Sequence, residues 1–90
     1  MRTFVLVNPM SGGGATGRRW PDLRRALSGV LEDWDHGFTL EPHDATRMAA
    51  EAARDGYVRL VVVGGDGTLN EAVNGLFDRE GQPRAPEMVF

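Results

Sequence analysis

Two glycine-rich stretches hold the residues whose types and spacing can do chemistry. One of them, Gly64-Gly65-Asp66-Gly67-Thr68, follows the apolar run Leu60-Val61-Val62-Val63 and leads into a segment with helical spacing. Glycine lets a backbone approach a phosphate closely and adopt a positive φ. A turn from strand to helix also aims free N–H groups outward, at the positive end of the helix dipole. Asp66 between those glycines would repel a phosphate unless a metal ion or a moving proton intervenes. Its placement therefore fits Mg²⁺ positioning or general-base work on an acceptor hydroxyl. Thr68 can donate to a phosphate oxygen, and Asn70 and Glu71 lie on the first turn of the same helix. The plainer alternative makes Asp66 a helix cap and the glycines a tight turn.

The other stretch runs Asn8-Pro9-Met10-Ser11-Gly12-Gly13-Gly14-Ala15-Thr16-Gly17, again between a strand and a helix. Gly12, Gly14 and Gly17 spell G-x-G-x-x-G, and Glu41 closes the next strand, which approximates a dinucleotide fingerprint. The fingerprint glycines normally follow their strand at once, whereas Asn8-Pro9-Met10-Ser11 intervene here. Asn8 and Ser11 can themselves donate to phosphate or ribose, so a longer cradle fits better. Two such loops on one sheet edge suggest a polyphosphate lying across it.

The elements that must position these loops alternate. Residues 3–7 form a strand. Residues 18–34 carry Trp20, Leu23, Leu27, Val30, Leu31 and Trp34 at helical spacing. Pro21 falls in that helix's first turn, and Gly29 weakens its middle by about 1 kcal/mol without ending it. Residues 37–40 form a short second strand. Asp44 caps a helix over 45–55 whose inner stripe is Ala45, Met48, Ala49, Ala52 and Ala53, and Gly56 stops it. Residues 60–63, apolar at every position, make a strand buried on both faces. Residues 68–77 are helical with Leu69, Ala72, Val73, Leu76 and Phe77 inward. A polar loop over 78–86 precedes the start of a fourth strand at 87–90. The order β-α-β-α-β-α-(β) implies an α/β fold, a three-layer parallel sheet. Three strands and a stub leave open edges and an unfinished core. The expectation is a truncated part of a longer protein, its edges covered by a missing domain or by a second copy in a homodimer.

Composition removes several classes of function. The chain has 90 residues, one small domain at most, and a net charge of −3, which argues against a general nucleic-acid binder. It has no cysteine, so disulfide scaffolds and Cys-based zinc sites are excluded. All ten basic residues are Arg, which removes P-loop lysine and Schiff-base chemistry. No apolar run is long enough to span a membrane or resembles a signal peptide. A soluble cytoplasmic protein is expected.

Val7-Asn8-Pro9-Met10-Ser11-Gly12, taken with Gly64-Gly65-Asp66-Gly67-Thr68-Leu69-Asn70-Glu71-Ala72-Val73-Asn74-Gly75-Leu76, resembles the catalytic domain of diacylglycerol kinases and related bacterial lipid kinases. The resemblance covers essentially the whole chain. The Gly-Gly-Asp-Gly-Thr core is shared with NAD kinases and 6-phosphofructokinases; the Asn-Glu and Asn-Gly continuation and the Asn-Pro-x-Ser-Gly loop point to the lipid branch. The resemblance implies an NAD kinase/diacylglycerol kinase-like N-terminal domain, with residues 1–90 forming the first part of its ATP-binding domain. It further implies transfer of the ATP γ-phosphate, with Mg²⁺, to a lipid hydroxyl such as that of diacylglycerol, by a peripheral enzyme at the membrane surface. Carried over by position, Asn8, Pro9, Met10, Ser11 and Gly12 would contact the nucleotide. Gly65, Asp66, Gly67, Thr68, Leu69, Asn70 and Glu71 would hold its phosphates and Mg²⁺, with Asp66 positioning the metal or activating the hydroxyl. Two departures stand out. Family members often carry a nucleotide-contacting threonine just after strand two, and none aligns cleanly with the short run Leu40-Glu41-Pro42-His43-Asp44. The family also continues into a further nucleotide loop and a C-terminal β-rich domain, with more acidic residues, that this chain does not include. The rivals are an NAD kinase-like phosphotransferase, a dinucleotide module using Gly12, Gly14, Gly17 and Glu41, and a non-catalytic nucleotide sensor.

Other eye-catching residues have plainer explanations. Trp20 and Trp34 fall on the apolar stripe of helix one and read as core. His36 and His43 read as solvated loop residues. Arg18, Arg19, Arg24 and Arg25 read as a solvated face paired with Asp22, Glu32 and Asp33 rather than a membrane-facing patch. Asn74 and Gly75 read as helix packing.

Overall fold

The computed structural model describes residues 2–77 and 87–89. The elements are β1 (Arg2–Val7), α1 (Ala15–Ser28), β2 (Asp33–Phe38), α2 (Asp44–Arg54), β3 (Arg59–Val63), α3 (Asp66–Gly75) and β4 (Glu87–Val89). The strands form one parallel sheet in the order β2-β1-β3-β4. The chain thus steps outward from β1 to β2, then crosses back over β1 to β3 and on to β4. Right-handed crossovers place α1 on one face and α2 with α3 on the other. The expected three-layer α/β architecture is observed. The loop expected over 78–86 and residue 90 of the expected fourth strand lie outside the described residues.

Burial follows from that layering. Val5, Leu6 and Val7 of central β1 are fully buried, because β1 has a strand on each side and helices on both faces. Leu6, Leu60 and Val62 meet Ala45, Met48, Ala49 and Ala52 of α2 and Ala72 and Leu76 beyond them. On the other face Val5 and Val7 meet Trp20, with Leu23, Leu27, Trp34, Val61 and Val63 packed around it. The two-sided burial expected of β3 is met on one face only: Leu60 and Val62 are buried, whereas Val61 and Val63 on the α1 side are half covered. The alanine stripe lets α2 lie close to its neighbours. Gly75 carries that to the limit, since a Cβ there would collide with the Thr46 carbonyl oxygen. Thr46 Oγ1 donates across the same contact to the Glu71 carbonyl at 2.8 Å. Gly75 is the packing residue its sequence position suggested.

Several boundaries differ from the sequence expectation. Helix one ends at Ser28, and Gly29, expected only to weaken it, is its C-cap. The helix begins at Ala15, so Pro21 stands in its interior, where its ring deprives the Gly17 carbonyl of an i→i+4 donor. Strand two spans Asp33–Phe38 rather than 37–40, so Trp34 belongs to it. Trp34 still packs on Trp20, centroids 6.5 Å apart. His36 is not a solvated loop residue: it is half-buried in β2, 5.0 Å from the Trp20 ring and 5.3 Å from Phe38. Alternate β2 residues face α1, so His36 falls in line with Trp34 and Phe38. α3 starts two residues earlier than expected, and Phe77 is exposed rather than inward. Gly56, at φ 86, does terminate α2. Of the expected pairs on α1, Arg25 meets Asp22 at 3.5 Å between exposed side chains.

Candidate functional site

β1, β2 and β3 are neighbours, so the loops leaving their carboxyl ends converge on one edge of the sheet. They enclose a cavity of about 490 Å³. Asn8, Met10, Ser11 and Gly12 line it from the loop after β1. Gly65, Gly67, Thr68 and Glu71 line it from the loop after β3 and the start of α3. Thr39, Leu40, Glu41 and Pro42, with Ala45 of α2, form the third wall.

The first loop is built around Asn8. Its backbone N–H donates to the Val63 carbonyl at 2.9 Å, continuing the β1–β3 ladder one residue past the strand. Asn8 Oδ1 accepts from the Met10 N–H at 3.1 Å, and Nδ2 donates to Thr68 Oγ1 at 2.9 Å. One amide thereby shapes its own loop and ties it to α3. Ser11 Oγ donates to the Asn8 carbonyl at 3.0 Å and shares a further hydrogen bond with Thr16 Oγ1. Gly12, Gly13 and Gly14 then follow at φ 64, 67 and 92. Each L-residue in that region costs roughly 1–2 kcal/mol, so three in succession require glycine. Among the described residues the Gly12 and Gly13 N–H groups have no backbone acceptor. Gly17 has a different reason. It donates to the Pro9 carbonyl at 2.9 Å, and a Cβ there would sit 3.0 Å from that oxygen. Gly14 and Gly17 stand outside the cavity lining, so two of the three fingerprint glycines are accounted for by backbone turn and close packing.

In the second glycine loop, Gly64 is required by its neighbour: a Cβ would lie 2.8 Å from Thr68 Oγ1. Gly65 is the extended N-cap of α3 and provides no side-chain cap. The amides of the first α3 turn therefore lack intrahelical partners. A Cβ at Gly65 or Gly67 would meet nothing within 4 Å, so the space beside these amides is open. Asp66 heads α3 as its one first-turn acid and is exposed. It stands beside the cavity rather than in its wall, as do Pro9, Leu69 and Asn70. The described residues bring together no group of three His, Cys, Asp or Glu side chains. The carboxylates α3 offers near the cleft are Asp66 and Glu71, and Mg²⁺ is commonly held by one or two carboxylates plus phosphate oxygens and water.

Sequence reasoning missed the third wall. Thr39 is the first residue after β2, and its N–H donates to the Val7 carbonyl at 2.8 Å. A threonine therefore does stand directly after strand two, where none was thought to align; the misplaced strand boundary hid it. Asp44, expected to cap α2, instead lies within it, behind His43, which is the N-cap at φ 72. Its carboxylate turns back to the loop, where Oδ2 accepts from the Leu40 N–H at 2.7 Å and the Glu41 N–H at 3.1 Å. The Leu40 bond, helped by Glu41 and by Arg47 at 3.6 Å, holds the Asp44 carboxyl below its ordinary range. Glu51, 3.1 Å from Arg47, raises that guanidinium in turn.

These features define a class: a parallel α/β domain with a glycine-lined cleft at the carboxyl edge of its sheet. The profile of the diacylglycerol kinase catalytic domain matches residues 2–88. The chain belongs to that family. It is 35% identical over 83 residues to a diacylglycerol kinase of Staphylococcus aureus, covering 92% of this chain and 26% of that protein. The crystal structure of a diacylglycerol kinase from Bacillus anthracis superposes with a TM-score of 0.76 at 32% identity, covering 91% of this chain and 30% of that one. The chain thus spans little more than a quarter of these relatives' length. No helix among the described residues is long and apolar enough to cross a membrane.

Proposed function

We propose that this chain forms the nucleotide-phosphate cradle, and so the first part of the ATP-binding domain, of a lipid kinase that transfers the ATP γ-phosphate to a lipid hydroxyl. The observation that carries the proposal is the convergence of both glycine loops on one cleft, joined by the Asn8–Thr68 hydrogen bond. Asn8 to Gly12 contact the nucleotide. The open amides at Gly65 and Gly67 and the Thr68 hydroxyl receive its phosphates. Mg²⁺, when bound, supplies positive charge to offset those phosphates. Asp66, at the head of α3, either orients the metal or takes the acceptor proton. Membership of the diacylglycerol kinase family supports a lipid acceptor such as diacylglycerol, reached by a cytoplasmic enzyme working at the membrane surface.

The test is phosphate transfer from γ-labelled ATP to a diacylglycerol-containing lipid extract, comparing the full-length protein with its Asp66→Asn variant. Labelled lipid with the wild type, falling by roughly 10²-fold or more in the variant, is expected for loss of a general base or metal ligand. Label in NAD rather than lipid would move the protein to the NAD kinase-like branch. Bound nucleotide without transfer to either would leave a sensor.

A further inference from the structure

The cavity's third wall has an unusual construction. Leu40 is 90% exposed, and Glu41, Pro42 and His43 are exposed as well, so no apolar packing holds this segment in place. Thr39 is fixed by the Val7 carbonyl, and α2 resumes the hydrogen-bond ladder with the Arg47 N–H on the His43 carbonyl at 3.3 Å. Between those anchors Pro42 has no N–H. The Asp44 N–H closes a turn on the Glu41 carbonyl at 3.2 Å, and the Leu40 and Glu41 amides both donate to one oxygen, Asp44 Oδ2. Asp44 is itself buried, with its other oxygen 3.6 Å from Arg47 Nη2. An N-cap aspartate would direct its carboxylate at the amides of its own helix. Asp44 lies one residue past that position and directs it at the loop instead.

Building on the nucleotide-cradle proposal above, we infer that Asp44 is a positioning residue for nucleotide binding: its carboxylate, through the Leu40 and Glu41 amides, sets the wall that Thr39 to Pro42 present to the ligand. Asp44 touches the loop's backbone and not the cavity, so its influence falls on affinity and not on the transfer step. A carboxyl-to-methyl change removes the only side-chain acceptor these two amides have among the described residues. The carboxamide of Asn keeps one oxygen able to receive both.

Two readouts on the full-length protein test this, using Asp44→Ala, Asp44→Asn and Tyr57→Phe. The last is a control for lost stability: the Tyr57 hydroxyl donates to Asp35 at 2.6 Å, away from the cavity. The first readout is amide hydrogen exchange. Asp44→Ala should speed exchange at Leu40 and Glu41 by tenfold or more while Thr39, held by Val7, changes little. The second is MgATP affinity by calorimetry together with the KM for ATP. Asp44→Ala should weaken both about tenfold at nearly constant kcat, Asp44→Asn should stay within about threefold of wild type, and Tyr57→Phe should leave both unchanged. Unaltered exchange at Leu40 and Glu41, or a fall confined to kcat, would overturn the inference. So would equal weakening by the Tyr57 control. A wild type that binds no MgATP would refute the cradle proposal instead, and with it the role in binding, while the exchange data would still decide whether Asp44 holds the wall.

Discussion

The two glycine loops meet at the Asn8–Thr68 bond, yet they use glycine for opposite reasons. In the loop after β1, Gly12 to Gly14 are set by backbone conformation: three successive left-handed residues turn the chain into α1. In the loop after β3 the backbone is ordinary and the surroundings decide. Gly64 yields its space to Thr68, whereas Gly65 and Gly67 border empty space. The first loop keeps glycine to fold. The second keeps it in part to leave room, which is the stronger sign of a ligand.

Substitutions can separate these reasons. The largest effect is expected at Gly64. Gly64→Ala drives a Cβ against Thr68 and strains the Asn8–Thr68 tie, and thermal or urea denaturation should show a loss of about 1–3 kcal/mol. Affinity for MgATP should fall with it. Next come Gly12→Ala and Gly13→Ala, each expected to cost about 1–2 kcal/mol from the left-handed backbone alone. Asn at either position should recover part of that loss, and equal damage from Ala and Asn would mean that crowding, not φ, dictates the glycine. Smallest in stability, and opposite in sign, is Gly67→Ala. It replaces a helical glycine beside open space, so the fold should gain roughly 0.5 kcal/mol. If the cradle proposal holds, MgATP binding should nonetheless weaken, because the added methyl would occupy the open space assigned there to phosphate. A variant both more stable and equally tight would remove Gly67 from the site and leave the two loops alike.

The contrast between the loops also marks where the sequence was legible. β1 and β3 announce themselves as apolar runs ended by Asn-Pro and Gly-Gly, and both glycine loops lie where expected. Helix one and strand two were blurred together. Val30, Leu31 and Trp34 continue the helical spacing begun at Trp20, and Trp34 packs on Trp20 from β2 as it would have from a helix. The alternation that identifies β2 is masked by His36 in an aromatic stack and by Gly37 opposite Phe4 and Met48. Moving that boundary concealed Thr39 and the wall behind it. Asp44 was legible as a helix-start residue, but which amides its carboxylate would serve is settled only by the left-handed turn at His43.

One further consequence follows from the meeting of α2 and α3. With the Gly75 backbone against the Thr46 carbonyl and the Thr46 hydroxyl bonded to Glu71, these helices have almost no freedom to slide. The second and third walls of the cleft ride on the front ends of those helices, so mechanically they form a single jaw. The Asn8–Thr68 hydrogen bond joins the glycine turn after β1 to that jaw, so a substitution in the α2–α3 contact should be felt on the far side of the cleft as well.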